Sequence, residues 1–303
     1  ITMGTGVWTR TGNATTVWNT QDSTGLTLNR GNPVILSYSG GTGTRTINSG
    51  VTSGTESNAP DFSITAGTDI VTTVSSGKIR HLNFAGFSGS FSNTTRNIYG
   101  NLTISPTMTV GAGTNATTFA GTSGTQTITS NGKTLDFPLT FNGTGGTFLI
   151  GDNLSVGATT SRAVTLTAGT LNLNGKTLTN FGSFIPGAGS TTRSVAFNGG
   201  MYNNTSTAGG NMWSYNGTNF TTSGTGIIKI SGSTTNSRTF TGGGATYPDI
   251  LFTNATSNGQ FIIAGSNTFN ELRCTDTNAQ TIKFAAGTTN TFSRFNVTGA
   301  VGN

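Results

Sequence analysis

One short pattern recurs along this chain and constrains its fold more than any other feature: Arg or Gln, one further residue, usually small or polar, then an apolar residue. It occurs as Arg45-Thr46-Ile47, Arg96-Asn97-Ile98, Gln126-Thr127-Ile128, Arg162-Ala163-Val164, Arg193-Ser194-Val195, Arg238-Thr239-Phe240, Gln260-Phe261-Ile262 and Gln280-Thr281-Ile282. Eight copies are too many for one binding site. Their irregular spacing, roughly 20 to 50 residues, suits supersecondary units joined by variable turns.

The unit is clearest in the last third, where residues 236–240 lead to 249–253, 258–262 to 271–275, and 278–282 to 294–298. Each unit is about 22 residues long and holds two strands and two turns. Strand side chains alternate faces, so Ile250 with Phe252, Leu272 with Cys274 and Phe295 with Val297 are assigned to the core. Such a unit is too small to bury its own apolar face and must stack, each strand hydrogen-bonding to its equivalent in the next rung. The expected fold is all-β: a parallel β-solenoid, or β-helix, of short stacked rungs, with the right-handed coiling that parallel connections favour.

Upstream the same alternation runs through Leu102-Thr103-Ile104, Leu139-Thr140-Phe141 and Leu171-Asn172-Leu173. Asn131-Gly132-Lys133-Thr134-Leu135 and Asn174-Gly175-Lys176-Thr177-Leu178 form a second internal repeat, each opening with the Asn-Gly pair that tight turns prefer. Residues 1–60 read as an irregular N-terminal β region, 61–200 as rungs, and 201–303 as rungs with the clearest repeat. Val7-Trp8 and Val17-Trp18 read as a hairpin or as one rung capped by aromatics. The start, Ile1-Thr2-Met3-Gly4, has neither the basic region nor the apolar stretch of a signal peptide. Residues 300–303 resemble the opening of a further rung, so a longer protein is expected.

Composition agrees with this reading. Of 303 residues, 32% are hydrophobic and 8% charged, too few charges for a disordered chain and too little apolar matter for several large cores. The 19 Phe against 3 Trp and 5 Tyr suit a narrow core filled by one or two side chains per strand. A single cysteine, Cys274, excludes a disulfide framework within the chain and any multi-cysteine metal site. The net charge of +6 comes from 15 scattered cations with no block, which argues against a nucleic-acid face. No run approaches the about 18 apolar residues of a membrane span.

Stacking should align polar columns. Asn236, Asn258 and Asn278 are expected to form one ladder and Arg238, Gln260 and Gln280 another, saturating turn carbonyls and neighbouring amides. By the same logic Arg45, Arg96, Gln126, Arg162, Arg193, Arg238, Gln260 and Gln280 are assigned a structural role at the rung corners. Asp249, Glu271 and Arg294 should align as a charge column on the outward face.

Nothing in the chain assembles a catalytic centre, a cofactor site or a metal site. Gly132-Lys133-Thr134 and Gly175-Lys176-Thr177 end like a phosphate-binding loop, but Thr127 and Thr170 stand where that motif needs glycine. Residues 40–48 fit a calcium-binding β-roll nonapeptide in their glycines, yet Arg45 replaces the ligand Asp. Asp249 and Glu271 are the one acid pair that stacking would bring to adjacent rungs, the basis for an alternative reading as a carbohydrate-active β-helix enzyme. The single histidine, His81, has no nucleophile arrangement beside it. Trp213 and Tyr215 are candidates for stacking on a glycan if exposed, or for plugging an irregular rung if buried.

The runs at residues 43–48, 96–105, 131–141, 170–178 and 265–270 resemble the repeat-rich structural and tail-fibre-like proteins of aquatic bacteriophages, including phages of cyanobacteria. Bacterial surface adhesins share much of this vocabulary. The resemblance covers most of residues 40–299 and implies a virion appendage at the virion surface, or an extracellular protein. It also implies partners among its own copies or other virion proteins, with a host-surface glycan as a candidate contact. It carries over no catalytic residue. A secreted bacterial adhesin or filament subunit is the alternative on the same fold.

Overall fold

The structure, a computed structural model, describes residues 8–10, 15–20, 34–37, 43–50, 55–256, 258–276 and 278–298. These residues hold many short strands and no helix, and the described strand pairs are parallel. The chain divides into two compact units, Ile1–Leu154 and Ser155–Asn303, each a parallel β-solenoid.

Apolar columns set the register. In the first unit Phe62, Leu82, Leu102 and Ile128 lie opposite one another on successive rungs, as do Ile79, Ile98, Phe119 and Phe141. In the second, Leu178, Tyr202, Ile228, Ile250, Leu272 and Phe295 form one column. A slip of one residue would turn every one of these side chains outward, so burial alone fixes the pairing. Phe119 and Phe141 stack with ring centroids 5.5 Å apart, the offset arrangement aromatic pairs favour.

Tight turns form the corners. Asn131-Gly132, Asn174-Gly175 and Asn198-Gly199 all take positive φ at both residues. Each turn is closed by a backbone bond, from Lys133 to Ser130, Lys176 to Leu173 and Gly200 to Phe197. Two consecutive left-handed residues suit Asn followed by Gly better than any other pair.

The two Trp segments near the start are not a hairpin. Trp8–Arg10 pairs in parallel with Val34–Ser37, and Thr16–Thr20 with Thr44–Ser49, so both are rung strands. Val7, residues 40–42 of the β-roll-like run and residues 300–303 lie outside the described residues.

Ile250, Phe252, Leu272 and Cys274 are buried, but Phe295 and Val297, assigned to the core, are 57% and 42% exposed. They hold the core parity, opposite Leu272 and Cys274, yet no described strand lies on their far side. Parity also breaks within strands that round a corner, as at Thr268–Cys274. Thr268–Cys274 pairs with both Thr246–Tyr247 and Asp249–Phe252, so it rounds a corner that Pro248 makes one rung earlier. Phe269 and Leu272, three apart, therefore both face inward. No helix long and apolar enough to cross a membrane occurs among the described residues.

Candidate functional site

The repeated arginines point into the protein. Arg45, Arg96, Arg162, Arg193 and Arg238 are all buried, with Arg96 and Arg238 at 0% exposure. A guanidinium taken from water must spend its donors on protein acceptors, and its planar fork of five N–H groups can reach several loop carbonyls at once.

Arg193 does this most fully. Its Nη1 donates to the carbonyls of Gly189 (2.8 Å) and Thr191 (2.6 Å), its Nη2 to Gly187 (2.7 Å), and its Nε to Pro186, so the loop 186–191 is wound around one side chain. Arg96 donates to the Ser92 carbonyl (2.5 Å) and to the hydroxyls of Thr94 (2.9 Å), Thr117 (3.0 Å) and Thr73 (3.3 Å). Its guanidinium carbon sits 4.1 Å from the Phe91 ring centre. Burial draws the Arg96 pKa down to about 9. Arg238 donates from Nη1 to Gly232 and lies 4.6 Å from the Phe252 ring centre, while its Nε and Nη2 have no hydrogen-bond partner. Burial draws Arg238 down to about 10, with Asp276 acting in the opposite direction. Arg45 instead forms a buried ion pair with Asp69 at 3.2 Å. Gln126 and Gln280 play the same part without charge: Gln126 donates to the Gly121 carbonyl (3.2 Å), and Gln280 to those of Asn254 (3.2 Å) and Thr256 (2.8 Å).

These side chains do not form the expected ladder. Arg238 lies opposite Phe261, not Gln260, and Gln260 lies opposite Thr281, not Gln280. The apolar columns fix the register, and the motif shifts by one residue between those rungs. Sequence reasoning also missed that Arg96, Arg193 and Arg238 each lie opposite a glycine on the preceding rung, Gly77, Gly169 and Gly210. Asn236 and Asn278 reach back to the carbonyls of Thr207 and Ala255 instead of to an equivalent Asn. Asn258 supplies a left-handed turn, with φ of 62°.

Trp213 and Tyr215 are 1% and 3% exposed, so the sugar-stacking role fails. The Trp213 ring lies 4.4 Å from that of Phe184, 5.6 Å from those of Tyr202 and Phe240, and 5.7 Å from that of Tyr247. It fills an irregular rung from within. Tyr202, at the same cluster, accepts from the Asn180 and Asn204 side chains and donates to the Met212 carbonyl.

The carboxylates hold the structure in the same way. Asp61 binds Arg80 through both side-chain oxygens and also accepts from the His81 amide (3.1 Å). Asp152 accepts from the amides of Ser130 (2.8 Å) and Asn131 (2.5 Å), and Asp276 from that of Asn254 (2.5 Å). Glu56 accepts from the amide (3.0 Å) and hydroxyl (2.6 Å) of Thr122, 66 residues away in sequence. Glu271, expected on the outward face, is instead buried at 7% exposure; it is in register with Arg294 and paired with it at 3.3 Å, whereas Asp249 is taken by the Asn270 side chain at 2.6 Å. The His81 Nδ1 accepts from the Asn101 amide at 2.8 Å, a backbone-bracing role. No group of three or more His, Cys, Asp or Glu placed to hold a metal occurs among the described residues.

Comparison with protein-family models, with characterised proteins and with solved structures gave no match for this chain.

Proposed function

We propose that this chain is a structural component of an extracellular assembly: a phage tail fibre, appendage or surface-decoration protein that acts as a rigid spacer or host-contacting stalk. The observation that carries this reading is where the chemistry-bearing side chains are used. Arginines, glutamines and carboxylates that could bind or react are turned to bracing loops and corners, as a load-carrying stack of rungs requires. The resemblance of its repeats to those of phage fibre proteins is the ground for the virion setting.

A fibre or decoration protein contacts neighbours, and one face of the second unit suits such contact. Phe284, Phe295 and Val297 are 39%, 57% and 42% exposed, and with Ile282 and Cys274 they border a groove of about 350 Å³. Apolar side chains gathered at a strand edge that no described strand pairs favour coverage by a further β layer. The test is cryo-electron microscopy of the native particles that carry the chain. Density in a tail, fibre or capsid position is expected. Density in a cell-surface filament would overturn the virion role in favour of an adhesin, and polysaccharide turnover abolished by Asp249→Asn would overturn the structural role itself.

A further inference from the structure

The outer surface of the second unit opens at one corner. Phe220–Ser223 turns through Gly224, Thr225 and Gly226 into Ile227–Ile230, whereas one rung later only Pro248 separates Thr246–Tyr247 from Asp249–Phe252. The wider turn is tied to the rung before it, where the Gly199 amide donates to the Thr225 carbonyl at 2.7 Å. On the other side the ladder resumes only at Ile227 opposite Asp249. Between the long corner and the short one lies a cleft of about 420 Å³, lined by Thr222, Thr225, Thr246, Pro248, Asp249 and Asn270 among others. That volume is within the range of about 300–1,000 Å³ common for small-molecule sites.

Two cross-rung bonds fix its polar groups. The Asn270 amide donates to Asp249 at 2.6 Å, and the Thr222 hydroxyl donates to the Thr246 carbonyl at 2.7 Å. A carboxylate offers about four acceptor positions, so Asp249 keeps capacity beyond the one that Asn270 uses, and Asn270 keeps its own carbonyl oxygen. The hydroxyls of Thr225 and Thr246 add groups that both donate and accept. Pro248 and Tyr247 border the cleft but are themselves buried.

This lining selects among ligand classes. A divalent cation such as calcium takes about six to eight oxygens and needs more charge than one carboxylate brings. An anion would meet Asp249 with no lysine or arginine in the lining to offset it. A wholly apolar ligand would strip water from the carboxylate and leave it without a replacement partner. We infer that the cleft binds a neutral polyhydroxylated ligand, a sugar residue, with Asp249 and Asn270 holding its hydroxyls. A spacer needs no such cleft, so this inference goes beyond the scaffold role and the two can fail separately.

The test is titration calorimetry together with saturation-transfer NMR on the full 303-residue chain. The probes are glucose, galactose, mannose and N-acetylglucosamine, as monosaccharides and as their disaccharides. At least one is expected to bind at a single site. Asp249→Asn, which preserves shape, and Asn270→Ala should each weaken that binding about tenfold or more, with thermal midpoints near that of the parent chain. Thr225→Trp should abolish it by filling the cleft. Failure of every sugar to bind overturns the inference, as does binding that persists undiminished in both Asp249→Asn and Thr225→Trp.

Discussion

At the scale of a residue, the energetics turn on how many donors of each buried guanidinium find an acceptor. Arg193 satisfies four loop carbonyls, whereas Arg238 leaves Nε and Nη2 without partners. Removing a fully engaged buried charge strands its partners, while replacing a poorly engaged one with an apolar side chain relieves a desolvation cost. Arg193→Met should therefore destabilise the second unit by about 3 kcal/mol, and Arg193→Lys should recover little of that, since an ammonium lacks the planar fork. Arg238→Met should be near neutral or stabilising. Urea unfolding of the three variants decides the matter, and equal losses at both arginines would sink the idea. The cations and their placement at rung corners were legible in the sequence as a recurring motif. Their inward direction was not, because the acceptors that receive each guanidinium, and the glycines opposite three of them, are brought there only by the register of the stack. Gly77, Gly169 and Gly210 stand at three different distances from Arg96, Arg193 and Arg238, so no fixed spacing reveals them.

At the scale of an element, the turns and the strand parity carry different amounts of information. Asn-Gly announced its corners directly, because few other pairs accept two left-handed residues in succession. Gly175 isolates that contribution: its φ is +69°, and a Cβ there would come no nearer than 3.7 Å to the Asn198 carbonyl oxygen. Gly175→Ala is thus expected to lower stability by about 1–2 kcal/mol through backbone strain alone. A loss much greater than this in thermal unfolding would mean that packing, not conformation, governs the corner. Strand parity was legible wherever a strand stayed on one side of a rung, as at Ile250 and Phe252. It failed at Thr268–Cys274, where the strand rounds a corner and the inward positions Phe269 and Leu272 fall three apart. A period of two cannot anticipate that bend. The cleft beside Asp249 has the same origin: it comes from two corners of unequal length, a property of paired rungs that neither rung shows alone.

At the scale of the whole molecule, the solenoid class followed from a unit that cannot bury its own face, and that physical argument holds for any sequence built this way. Function was less legible, because the outward positions are interchangeable Thr, Asn and Ser whose partners depend on the stack. The stack also predicts how the second unit fails in alkali. Tyr202 is buried at its centre, and burial pushes its hydroxyl up to about 12, against the hydrogen bonds from Asn204 and Asn180, which lower it. Tyr247, whose hydroxyl donates to the Gly242 carbonyl at 2.6 Å, is also raised by burial. An unfolded tyrosine ionises near about pH 10, so above that value the unfolded state releases a proton the folded state retains. The stabilisation is complete below about pH 10 and is lost as pH climbs towards 12, about 3 kcal/mol for Tyr202 alone. Cys274, also raised by burial, acts with the tyrosines, whereas Arg238, drawn down to about 10, works in the opposite sense. Because each rung leans only on its neighbours, loss at the Trp213 cluster should open adjacent rungs as well. Phenolate absorbance and circular dichroism followed together through an alkaline titration should show the buried phenols ionising only as the β signal collapses, and Tyr202→Phe should move that collapse to higher pH relative to its own neutral-pH stability. Phenolate from Tyr202 appearing near pH 10 with the β signal intact would mean that this side chain does not hold the rungs together.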